Sequence, residues 1–228
     1  TPQFQSILKE VNIKLKKVFC TENPVVIYSS SGTGAMESSI VNFLSKGDKV
    51  IVIRGGKFGE RFDEISKAYG IEVITYDVTW GEIADPAIIE DLLKKNSGVK
   101  AVYSTLCETS TGVVNDIKAI AEVVKKTDAI LVVDAISGLT ADELKPDAWG
   151  VDVVIGGSQK GLMLPPGLAF LAISEKAQKL IDSSDLPKYY FSLKAALKSY
   201  GKDDTPWTPG VSLINGLDSV LDMLIEEG

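Results

Sequence analysis

Three short segments of this 228-residue chain join residue types that can do chemistry. Ser29-Ser30-Ser31-Gly32-Thr33-Gly34-Ala35-Met36-Glu37 follows an apolar run ending at Tyr28 and leads into a helical pattern (Ile40, Val41, Leu44). Small residues there let backbone approach a ligand, and exposed amides at a helix start favour an anion such as phosphate. The segment lacks the Gly-Lys-Ser/Thr ending of a P-loop and is not GxGxxG, so an ordinary turn with a helix cap reads equally well. Asp134 closes the run Ile130-Leu131-Val132-Val133-Asp134. A carboxylate at such a strand end can hold a metal, a ribose or a protonated ring nitrogen, or it can simply cap the next loop. The third segment, Gly156-Gly157-Ser158-Gln159-Lys160-Gly161, sets Lys160 in a Gly/Ser loop, 160 − 134 = 26 residues after Asp134. A neutral lysine amine can form an imine with an aldehyde; a charged one pairs with a carboxylate or a phosphate.

The elements that must position these segments are legible as alternation. Apolar runs at 24–30, 49–53, 71–75, 99–104, 129–134, 151–155 and 168–173 are rich in Val and Ile and lack strict two-residue alternation, the pattern of strands covered on both faces. Between them, 83–95 and 117–126 have helical spacing, with Asp85-Pro86 and Asn115-Asp116 as openings. The expected fold class is α/β: a three-layer α/β/α arrangement around a mainly parallel, mixed central sheet of about seven strands. Such sheets bind ligands at the carboxyl ends of their strands, and all three segments lie just after an apolar run. Lys14, Lys16 and Lys17 read as one solvated helix face.

Composition removes several classes of function. The formal charge is 24 − 31 = −7, which argues against a nucleic-acid partner. Histidine is absent, so Ser-His-Asp and Cys-His catalysis and His-ligated zinc are excluded, and Cys20 and Cys107 are too few for a disulfide framework or a structural zinc site. No metal is expected. No membrane-spanning run or signal peptide is apparent, and a reducing cytoplasm is the expected location. Both ends fall in helical patterns. Residues 1–228 are therefore expected to be a fragment of a longer protein.

Taken together, the anion cradle, the strand-end Asp and the loop Lys make the set that pyridoxal 5′-phosphate requires: a phosphate site, a carboxylate for the pyridinium nitrogen and an amine for the aldehyde. In this order the chain resembles the fold-type I pyridoxal-phosphate enzymes of the class V aminotransferase family, in particular the alanine–glyoxylate, serine–glyoxylate and serine–pyruvate aminotransferases. The resemblance rests on residues 31–37, Gly59-Glu60-Arg61, Glu108-Thr109-Ser110-Thr111-Gly112-Val113, Val132-Val133-Asp134-Ala135, and Gly157-Ser158-Gln159-Lys160 with Pro165-Pro166-Gly167. It implies that Lys160 is the Schiff-base lysine and proton-transfer base, and that Asp134 pairs with the pyridinium. It implies phosphate contacts from Thr33, Gly34 and Ala35 beside Gln159, a ring contact from Thr109, and stacking by Phe58 where relatives often carry Trp. Thr208 is expected to reach the phosphate of a partner subunit in a homodimer. The substrates implied are alanine or serine and a small 2-oxo acid, glyoxylate or pyruvate. The resemblance implies that residues 1–228 are the cofactor-binding large domain, a fragment without the N-terminal segment and the C-terminal small domain. It assigns the activity to the parent protein and leaves the fragment with little or none, because the substrate-gripping arginine belongs to the small domain. Glu108 is expected to structure its loop, and Cys107 to fill space. Three other readings stay open: another class V enzyme, a non-catalytic phosphate- or nucleotide-binding module, and a structural dimerisation domain.

Overall fold

The computed structural model describes residues 1–228. Thr1 accepts the Phe4 amide, and Pro2 occupies the first turn where its missing N–H is harmless, so α1 (Pro2–Val18) starts at once. The chain continues through β1 (Val25–Tyr28), α2 (Gly32–Val41), β2 (Lys49–Arg54), α3 (Lys57–Ala68), β3 (Glu72–Asp77) and α4 (Pro86–Lys95). Next come β4 (Val99–Thr105), a short hairpin of β5 (Cys107–Glu108) and β6 (Val113–Val114), α5 (Ile117–Val124) and β7 (Ile130–Asp134). The remainder is α6 (Pro146–Trp149), β8 (Val153–Gly157), β9 (Ala169–Ile173), α7 (Glu175–Gln178), α8 (Leu193–Tyr200) and α9 (Val211–Glu227). Asp85 and Asp116 cap α4 and α5 through the Ala87 and Ala119 amides, so the expected openings hold and the first of these helices starts at Pro86 rather than at 83.

Seven strands form one sheet in the order β1-β9-β8-β7-β4-β2-β3. The pairs β8·β7, β7·β4, β4·β2 and β2·β3 are parallel, while β9 runs antiparallel to both β8 and β1. All strands but β9 therefore point the same way, and their carboxyl ends share one edge. Side chains alternate between faces. In β7, Leu131 and Val133 join a core with α1, α4, α5 and α9, whereas Ile130 and Val132 join a second core with α2, α3 and α8. Both faces are covered, which is why the strands read as unbroken apolar runs.

The chain reverses its progress across the sheet at β2. From β2 it moves outward to β3 through α3 on one face, then returns to β4 through α4 on the other. Loops leaving β2 and β4 thus diverge, and a crevice opens between them at the carboxyl edge.

Two expectations need correction. Gly156 and Gly157 belong to β8, paired with Phe170 and Ala169, and not to the loop. A Cβ at Gly156 would lie 2.9 Å from the Phe19 ring, so glycine makes room for an aromatic inside the strand. Lys14 is not part of a solvated face: its ammonium bonds Asp218 and Asp222 at 2.7 Å each and ties α1 to α9. The β5–β6 hairpin was not anticipated, because two-residue strands carry no periodicity.

Candidate active site

The crevice has Asp134 at its floor. The residue ends β7 and is only 4% exposed. Its Oδ1 accepts the Ile136 amide at 2.8 Å. Oδ2 accepts no hydrogen bond from the chain and keeps a little contact with solvent. Burial pushes the carboxyl up to about 6; the Ile136 hydrogen bond opposes the rise, Glu108 adds to it, and the charges of Arg61 and Lys160 pull it down. Ile136 packs between two neighbouring loops. A Cβ at Gly32 would lie 2.3 Å from Ile136 Cδ1, and one at Gly157 would lie 3.2 Å from Cγ2, so those glycines let the β1 and β8 ends close on it.

The β1 end forms the cradle. Ser31 stands at the cap position of α2 but makes no side-chain cap bond, and the Gly32 and Thr33 amides have no acceptor in the chain. Gly34 is required by packing, since a Cβ there would sit 2.6 Å from the Phe191 ring and 2.8 Å from Ser30 Oγ. Ala35 is fully buried in the core under α2, so only its backbone is available to a ligand. Arg61, from α3, donates to Thr33 Oγ1 at 3.1 Å and stacks over the Phe58 ring at 4.7 Å.

Phe58 is held from the other side of the crevice. Gly56, at the cap position of α3, has no side chain to cap with. The first-turn amides bond instead to the loop after β4: Lys57 to Ser110 Oγ at 3.0 Å, Phe58 to Glu108 Oε2 at 3.2 Å, and Gly59 to Glu108 Oε2 at 3.1 Å. Glu108 is 1% exposed and also accepts the Ser110 hydroxyl at 2.7 Å. It structures its loop as expected, and it caps a second element as well. A Cβ at Gly56 would lie 2.3 Å from Ser110 Oγ, so glycine is what permits this approach.

Lys160 and Gln159 follow β8 and are exposed. Lys160 makes no side-chain hydrogen bond or ion pair, yet its charge acts on both Asp134 and Cys107. Its loop lies on the turn after β7: a Cβ at Gly161 would sit 2.1 Å from Thr140 Oγ1 and 2.4 Å from the Leu139 carbonyl. Thr140 holds φ at +69°, unusual for a β-branched residue. Thr109 is exposed and its hydroxyl bonds that of Ser137. Cys107 is half-buried, and burial pushes its thiol up, with Asp142 and Glu108 adding to the rise, which is the opposite of an activated nucleophile.

The structure therefore gathers Thr33, Gly34, Phe58, Thr109, Asp134, Gln159 and Lys160 along one edge. Thr208 stands apart. It is exposed in the loop before α9 and makes no bond to the cradle, although Gly210 of that loop donates to Ser29 Oγ at 3.1 Å. Sequence reasoning missed the roles of Arg61, Ile136 and Ser137. The signal in the sequence is Gly59-Glu60-Arg61, one of the motifs of the resemblance, to which residue type and spacing alone attach no task. No helix is long and apolar enough to cross a membrane.

A family model of the class-V aminotransferases matches residues 1–228. The chain is 44% identical over 230 residues to an uncharacterized aminotransferase of Methanocaldococcus jannaschii, covering 100% of this chain and 60% of that protein. It is 43% identical to the soluble hydrogenase 42 kDa subunit of Anabaena cylindrica, with the same coverage. It is 37% identical to the serine–glyoxylate aminotransferase of Methylorubrum extorquens, covering 99% of this chain and 58% of that protein. Among solved structures, the alanine–glyoxylate aminotransferase of Nostoc sp. superposes with a TM-score of 0.95 at 28% identity, covering 100% of this chain and 61% of that one. The chain spans about three fifths of the length of the curated relatives it matches.

Proposed function

The chain belongs to the class-V aminotransferase family, and on that premise we propose that the whole protein is a pyridoxal-phosphate-dependent transaminase. It moves the amino group of alanine or serine to a small 2-oxo acid, glyoxylate or pyruvate. The serine–glyoxylate and alanine–glyoxylate names of its relatives support that substrate class.

Asp134 carries the reading. Its carboxyl is buried and poised near 6, and its Oδ2 has no donor within the chain. A protonated ring nitrogen is the donor it lacks, and pairing with one would favour the carboxylate form. The free Gly32 and Thr33 amides at the start of α2 suit a phosphate, and Phe58 offers an apolar face for stacking. When bound, pyridoxal phosphate supplies an aldehyde that captures amines and a ring that withdraws electrons from the substrate α-carbon.

The protein's own contributions follow from its residues. Lys160 Nζ holds the cofactor and then moves the proton at the substrate α-carbon; having no partner in the chain, it is free to turn between the two tasks. Asp134 Oδ2 keeps the proton on the ring nitrogen. Thr109, fixed by Ser137, serves the oxygen side of the ring. Gln159 stands beside the phosphate site. The working unit is a homodimer in which Thr208 serves the phosphate site of the partner subunit, and its two free cysteines fit the cytoplasm. Residues 1–228 are the cofactor-binding large domain.

The test is an absorbance spectrum of the full-length protein with pyridoxal phosphate, followed by borohydride reduction and peptide mapping. The expected result is a visible band that borohydride removes, with the label on Lys160. No band, or a label on another lysine, overturns the assignment. Phosphate binding without a band would identify a phosphate-binding module without covalent chemistry.

A further inference from the structure

We infer that Arg61 is a positioning residue of the phosphate site, which commits the Thr33 hydroxyl proton to an incoming phosphate. The inference rests on the pyridoxal-phosphate reading and deepens it. A guanidinium has five N–H donors and no acceptor, so in the 3.1 Å contact Thr33 Oγ1 must accept. The Thr33 proton is then directed elsewhere, and no acceptor in the chain receives it. A hydroxyl that accepts from a cation is also the stronger donor.

The charge balance points the same way. The chain has two arginines. Arg54 is neutralised by Asp63 at 2.9 Å and by Asp77. Arg61 has no carboxylate partner, and it sits against the first turn of α2, whose amides already present positive charge. A cation at a helix N-terminus is unfavourable unless an anion joins it. The Phe58 ring, 4.7 Å away, fixes the guanidinium in place. Phosphate binding and the ring-stacking residue are thereby coupled through one side chain.

Dissociation constants of pyridoxal phosphate and of pyridoxal, which lacks the phosphate, test this in the full-length protein. Arg61→Met and Thr33→Val should each weaken pyridoxal phosphate by about tenfold or more, and pyridoxal by less than about threefold. The double variant should fall short of the product of the two losses by at least about fivefold. Thr33→Ser keeps the hydroxyl and should bind as wild type does. Equal losses for both ligands, full additivity, or failure of Thr33→Ser to rescue would overturn the assignment. If Arg61→Met does not fold, the Thr33→Val and Thr33→Ser pair decides alone. Phosphorus NMR with inorganic phosphate separates this inference from the proposed function. Phosphate bound by wild type and lost in Arg61→Met, without pyridoxal phosphate binding, would leave Arg61 assigned and the cofactor reading wrong. Equal phosphate binding by both would overturn the Arg61 assignment whatever the cofactor does.

Discussion

The Glu108 carboxylate accepts the backbone N–H groups of both Phe58 and Gly59, so a residue from the loop after β4 caps a helix that starts after β2. This contact spans the crevice at the point where the sheet reverses direction. With one buried side chain it sets Phe58, the residue proposed to stack on the cofactor ring, and joins the two sides of the site.

Glu108→Ala should therefore destabilise the protein by about 2–3 kcal/mol, the range for stranding buried amides that had charged acceptors. Glu108→Gln keeps an acceptor and should lose less. Urea unfolding measures both. Removing the negative charge should also lower the Asp134 carboxyl, because Glu108 is one cause of its rise. Unchanged stability in Glu108→Ala would show that water replaces the cap.

Asp134 predicts a pH slope in the cofactor-free protein. Its carboxyl is raised from 3.8 to about 6 by folding. Between those values the folded state binds more protons at this group than the unfolded state, so the Asp134 contribution to stability is full below about pH 4 and is lost as pH rises through 6. At about 1.4 kcal/mol per pH unit the loss is on the order of 3 kcal/mol. Asp134→Asn should remove that slope, and pyridoxal phosphate should flatten it in wild type. Unfolding curves between pH 4 and 7.5 check both, and a wild-type slope that survives in Asp134→Asn would refute the assignment to this group.

Gly59→Ala should destabilise although alanine is the better helix former. The added Cβ would meet the Ile53 carbonyl at 2.4 Å and the Arg54 Cα at 3.0 Å, both backbone atoms that cannot turn aside. A loss of about 1–3 kcal/mol is expected from such overpacking. The three atoms nearest a Cβ at Gly32 all belong to the flexible Ile136 side chain, so Gly32→Ala should lose less. Denaturation midpoints of the two variants give the ranking.

Lys160→Ala should leave unfolding free energy within about 0.5 kcal/mol of wild type, since the side chain is exposed and bonds nothing. The same variant should lose borohydride labelling. A large loss of stability would mean that Lys160 has a structural partner in solution.

Six of the seven strands were legible because they are buried on both faces and so read as apolar runs; β3, at the edge of the sheet, is only half-buried and was legible from its Val and Ile alone, and the candidate chemistry was legible because it falls just after those runs. Asp134 and Lys160 needed only that placement and their residue types. The contacts that shape the site were not legible. Arg61 meets Thr33 across 28 residues, Glu108 meets Phe58 across 50, and Ile136 fills space that Gly32 and Gly157 leave open. Local periodicity reports burial and backbone state, which neighbours along the chain decide. Which strand ends meet depends on sheet order and on the reversal at β2, properties of long-range pairing. The sequence by itself determined the layered architecture, the strand-end carboxylate and the loop amine. Only the tertiary structure decided that one helix is capped by another loop's carboxylate and that an arginine without a carboxylate faces an uncapped helix, because both depend on loops brought together by a sheet that no local segment encodes.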